Sequence, residues 1–136
     1  MSVAVMNAIK SQLQAAAPSR VVTREWLAHD DRDEADLKKG LFTIMASVEN
    51  DYATYLGRHA QLGKQRVFIV GQILLPEHAT GEQVEDAEFG LIDDLKAFAQ
   101  SSLSTPIDGL YLLSVQNSSQ LERPWGWVSS EWQNGV

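Results

Sequence analysis

The chain has 136 residues, with 18 acidic and 11 basic side chains for a formal charge of −7, 44% hydrophobic and 21% charged residues, and no cysteine. A single domain spanning 1–136 can hide roughly two-thirds of the surface of such an unfolded chain, and the apolar content is too high for a disordered one. Disulfides and thiolate chemistry are excluded, and the acid excess argues against a sequence-reading nucleic-acid binder, which needs clustered Lys and Arg.

Residues 1–10 lack a basic leader ahead of an apolar run, and no stretch reaches the ~20 apolar residues of a membrane span, so the sequence reads as cytoplasmic. Over residues 2–17, Val5 or Met6, Ile9, Leu13 and Ala16 recur at steps of three and four, which predicts an amphipathic helix ending before Pro18. Residues 21–27 are β-branched and aromatic and read as a strand. The acidic run 29–36 breaks every apolar pattern and predicts a loop with a helical turn running into Leu37, Lys38 and Lys39. In 41–48, Phe42, Ile44, Ala46 and Val48 share one strand face, the core side, and Leu41, Thr43, Met45 and Ser47 the other.

Residues 49–65 show no persistent period, and seventeen such residues inside a compact domain suggest a functional loop. The apolar run 66–75 predicts the central strand, closed by Pro76. Thr80 followed by Gln83 has capping-box spacing, and Val84, Ala87, Leu91, Ile92, Leu95 and Phe98 then mark one face of a long helix, with Glu82, Glu85 and Asp86 near its positive end. A loop over 101–108 and two strands, 109–115 and 125–132, complete the chain. The order predicts an α+β fold, a mixed or antiparallel sheet of about five strands with two main helices on one face.

Catalytic signatures are weak. The segment Gly57-Arg-His-Ala-Gln-Leu-Gly63-Lys64 has five residues between its glycines and Gln65 where a phosphate loop carries Ser or Thr. His29, His59 and His78 form no pair at ligand spacing, and residues 30–36 lack the glycine and closing glutamate of a calcium loop. Ser101, Ser102, Ser118, Ser119, Ser129 and Ser130 occupy no nucleophile elbow. Glu85, Glu88, Asp93 and Asp94 read as the polar side of a surface helix, with no proton donor to make them an acid–base pair. Catalytic, cofactor-binding and metal residues are therefore expected to be none. Trp26, Trp125, Trp127 and Trp132 stand out, because Trp125 and Trp127 point to one strand face and Trp132 to the other, so one side is available as an interface.

The arrangement resembles the tail terminator family of long-tailed bacteriophages and prophages, the minor tail protein U type. The likeness is carried by the N-terminal helix with Ile9 and Leu13, by Asp36-Leu-Lys-Lys-Gly40 before a strand, and by Gly71 inside the apolar strand. It continues in Gly81-Glu-Gln-Val-Glu-Asp-Ala-Glu88, Leu112-Leu-Ser-Val115 and Glu122-Arg-Pro-Trp-Gly-Trp-Val128, and so covers nearly all of the chain. It implies a non-enzymatic virion protein, without cofactors, that caps the growing tail tube, stops its polymerisation and forms the head-joining surface. The implied partners are copies of itself in a six-membered ring, the major tail tube protein and a head-completion protein. DNA would pass through without specific binding, and no membrane would be involved.

Arg58, Lys64 and Arg66 crowd the long loop while Glu85, Glu88 and Asp93 lie on the long helix, so opposite charges on opposite edges would steer heterologous contacts. With Tyr52, Tyr55, Trp125 and Trp127 these are the expected subunit and tube contacts. A small-molecule-binding or regulatory domain, with a pocket under the long loop, is the alternative.

Overall fold

The computed structural model describes residues 2–50, 63–101 and 110–134. Tyr52, Tyr55, Arg58 and His59, most of the expected 49–65 loop and nearly all of the 101–108 loop lie outside them. The elements in chain order are α1 (Val3–Ala16), β1 (Val21–Thr23), a 3₁₀ turn at His29–Asp31, α2 (Glu34–Lys39), β2 (Leu41–Asn50), β3 (Lys64–Leu74), α3 (Gly81–Ser101), β4 (Tyr111–Asn117) and β5 (Trp125–Asn134). The strands form one mixed sheet in the order β1-β2-β3-β5-β4, with β1 parallel to β2 and every other pair antiparallel. This is the α+β arrangement expected, with β3 at its centre.

The helices start where their caps dictate. Ser2 accepts a hydrogen bond from the Val5 amide (3.2 Å) to open α1, and Asp33 accepts one from Ala35 (3.0 Å) to open α2. At α3, Thr80 Oγ1 accepts from the Gln83 amide (3.2 Å) while Gln83 Oε1 accepts from the Thr80 amide (2.9 Å), the reciprocal box that its spacing predicts. Gly40 ends α2 at φ +87°, a left-handed backbone that an L side chain resists, and a Cβ there would lie 2.5 Å from Arg20 Nη1.

Met6, Ile9 and Leu13 of α1 and Leu91, Leu95 and Phe98 of α3 cover the inner face of the sheet, where Phe42, Ile44, Val67, Ile69, Val128 and Trp132 are buried. Gly71 lets α3 approach: a Cβ there would lie 3.0–3.2 Å from Val128, Phe42 and Leu91 side-chain atoms. Trp132 packs at 5.3 Å from the Phe98 ring, and its Nε1 donates to Ser130 Oγ (2.8 Å), which itself donates to the Ile69 carbonyl (2.7 Å). The indole is thus buried with its one donor satisfied. Arg20 fastens the layer, donating from Nε to Asp94 Oδ2 (2.8 Å) and from Nη1 to the Lys39 carbonyl (2.9 Å).

Three expectations are corrected. The first concerns 21–27, where the strand stops at Thr23, because the Thr23 hydroxyl accepts from the Glu25 amide (3.1 Å) and turns the chain out of the sheet. The second concerns β2, in which Ala46 and Val48 are exposed and the register against β3 shifts between Ala46 and Glu49. Leu41 to Ile44 are instead buried on both faces, because residues 24–39 fold over the outer face of β2 and β3: Arg32 donates to Thr43 Oγ1 (3.2 Å) and Gln72 Nε2 to the Leu27 carbonyl (3.3 Å). The third is Glu88, which is not on the polar side of α3. It is 1% exposed, within the buried stripe of Val84, Leu91, Leu95 and Phe98.

Candidate functional site

The pleat of β3 and β5 sends Phe68, Val70 and Gln72, and across from them Trp127, Ser129 and Glu131, to the outer face, and these rows are only partly covered. The 24–39 segment roofs the β2 side and leaves a half-open cavity of about 360 Å³ between itself and β5. Its lining is Trp26, Ala28, His29, Val70, Gln72, Glu122, Trp127 and Ser129.

Each wall has a local cause. The turn at Thr23 carries Trp26 off the sheet, where it remains half exposed. His29 is fixed by its ring, 4.5 Å from that of Trp125, and its Nε2 lies 3.4 Å from Asp30 Oδ1. Gln72 belongs to the floor. It is 5% exposed and donates to Leu27, while its Oε1 has no hydrogen-bond partner among the described residues. Glu122 stands at the rim, on the turn between β4 and β5.

That turn is held from behind by Glu88. Its Oε1 accepts from Asn117 Nδ2 (3.1 Å) and the Ser118 amide (3.3 Å), and its Oε2 accepts from the Ser118 hydroxyl and the Trp127 amide (3.1 Å). Four donors around one carboxylate offset the cost of burying it. They also lock the start of β5, and with it Trp127, against α3.

A second open surface lies along β4, which pairs only with β5 and leaves its other edge free of sheet partners among the described residues. Tyr111 and Leu113 on it are exposed, and Leu121 on the following turn is 84% exposed.

The residues expected at interfaces are scattered over these features. Trp125 and Trp127 lie on the outer face and Trp132 in the core, the division their spacing predicts. Lys64 begins β3, and Arg66 lies on its outer face, where Nη1 is 3.0 Å from Glu131 Oε1. Asp93 is exposed on α3, and Glu85 accepts from Gln120 Nε2 (3.1 Å). The Arg66 side and the α3 acids therefore occupy opposite layers of the molecule and not opposite edges of the sheet. Glu88 is buried within the subunit and offers no surface for such a contact. Trp26, His29, Gln72 and Glu122 were not singled out as a group by sequence, since they are brought together only by the turn at Thr23 and the pairing of β3 with β5.

Among the described residues, no group of three or more His, Asp or Glu is placed to hold a metal ion, and no helix is long and apolar enough to cross a membrane. The chain matches no protein-family model and no curated protein.

Proposed function

We propose that the protein is a structural assembly subunit of the phage tail terminator type, capping a tail tube and presenting the surface on which the head is joined. The observation that carries the reading is the β4 edge, which has no sheet partner among the described residues, with Tyr111, Leu113 and Leu121 exposed beside it. An exposed apolar sheet edge is a template for association unless something covers it, and in a closed ring a different surface of the next copy does so. The likeness in sequence to tail terminators, which extends over nearly all of the chain, supplies the kind of assembly. The major tail tube protein, a head-completion protein and a virion location follow from that likeness. The outward acids Glu82, Asp86 and Asp93 suit a surface past which DNA slides without being gripped.

The test is sedimentation of the purified protein across a concentration series, alone and with tail tubes. A ring-sized species or tube-end binding is expected, and the double variant Leu113→Asp, Leu121→Asp is expected to lose both while keeping the wild-type circular dichroism spectrum. A protein that stays monomeric and ignores tube ends would sink the proposal. Charge steering has its own check: Arg58→Glu with Lys64→Glu is expected to weaken assembly without unfolding the domain, and normal assembly by that pair removes it.

A further inference from the structure

We infer that the cavity on the outer sheet face is a binding site for a guanidinium group, of the kind carried by an arginine side chain. This inference is independent of the assembly reading, because it rests on the lining of one cavity and not on the β4 edge.

Volume comes first. About 360 Å³ lies at the lower end of the roughly 300–1,000 Å³ of ligand pockets, enough for one amino-acid-sized molecule or one long side chain. The lining then selects the chemistry. Trp26 and Trp127 contribute indole surfaces, whose ring faces are electron-rich and attract cations, Arg above all. Glu122 adds a carboxylate at the rim. At the floor, the Gln72 carbonyl oxygen is deeply buried and without a donor. A buried acceptor left unpaired is costly, so an occupant bringing N–H groups to this depth gains where an apolar one does not.

Two of the nearby donor groups already face acceptors, while Arg32 Nε is buried without a hydrogen-bond partner among the described residues. Gln72 Nε2 is spent on the Leu27 carbonyl, and the His29 Nε2 edge is turned to Asp30. Arg32, which lies over Thr43 one strand away, directs Nη2 to the Glu25 carbonyl and the Thr43 hydroxyl. The cavity thus offers two indoles, one unpaired carbonyl oxygen and one carboxylate in an otherwise largely apolar lining. A guanidinium matches it on three counts, since it is flat enough to stack on an indole, carries five N–H donors, and is charged at every accessible pH. An ammonium satisfies the charge but not the planarity, and a neutral sugar can donate hydroxyls to Glu122 but brings no charge to it or to the indoles.

The protein's tryptophan fluorescence provides a readout. Titration with N-acetyl-L-argininamide is expected to give a saturable change. The matching citrulline derivative, equal in shape but uncharged, is expected to bind at least about tenfold more weakly, and methyl glucoside not at all. Trp26→Ala, at a half-exposed position outside the core, is expected to weaken binding about fivefold to thirtyfold, and Glu122→Gln about threefold. Tighter binding of the capped derivative than of free L-arginine assigns the site to an arginine on a protein chain, and the reverse order to a free metabolite. The inference is overturned if the response does not saturate, if citrulline or glucoside binds as well as the arginine derivative, or if folded Trp26→Ala binds like the wild type.

Discussion

On the inner face of the sheet, Val67, Ile69, Val128 and Trp132 are cut off from solvent beneath α1 and α3, whereas on the outer face of the same strands Phe68, Val70, Trp127 and Ser129 are only half-buried. Both sets come from one alternating pattern, so the difference is not one of local propensity. It is set by the cover. Two long amphipathic helices close one side, while the other has a short acidic segment pinned by Arg32 and Gln72. A sheet so arranged keeps its stability on one face and leaves the other free to take a ligand or a neighbour.

The contrast can be broken most forcibly at Trp132. Trp132→Ala is expected to cost about 3–5 kcal/mol, measured by urea denaturation, because the indole is fully buried and its removal also takes away the donor to the Ser130 oxygen. Next is Glu88→Ala, expected to cost about 2–3 kcal/mol by the same measurement, since the Ser118 and Trp127 amides lose a charged acceptor. Its effect should reach the outer face too, as a changed fluorescence of Trp127. A wild-type midpoint for this variant would mean that the β4–β5 turn stands without the carboxylate. The smallest effect belongs to the outer face, where Arg66→Ala, which removes a partly exposed pair with Glu131, is expected to shift stability by under about 1 kcal/mol. A loss as large as that at Trp132 would show that the two faces share the load.

The sequence carried the inner face better than the outer. Capping spacing at Thr80 and Gln83, helical stripes in α1 and α3 and alternation in β3 are local signals, and the element order and layer arrangement followed from them. Position 88 was misjudged for an instructive reason. It lies four after Val84 and three before Leu91, on the stripe by spacing, and was assigned to the polar side only because glutamate is charged; its partners, Asn117 and Ser118, are some thirty residues away in sequence. Trp26 was placed in a strand because Val21 and Val22 favour one, whereas a single hydroxyl, that of Thr23, decides where the strand ends. The cavity was illegible for a related reason, since its walls come from four separate segments. The long loop that looked most functional holds Tyr52, Tyr55 and Arg58, which lie outside the described residues.

The sheet order has a consequence for synthesis. Among the described residues, the β5 strand follows all the others, yet it sits between β3 and β4 and is the only partner of β4. On a ribosome, β1, β2 and β3 can pair as they emerge, but β4 has nothing to join until residues 125–134 are out. The sheet therefore closes only once residues 125–134 have emerged, and during that interval the β4 segment is the part of the nascent sheet with most need of a chaperone.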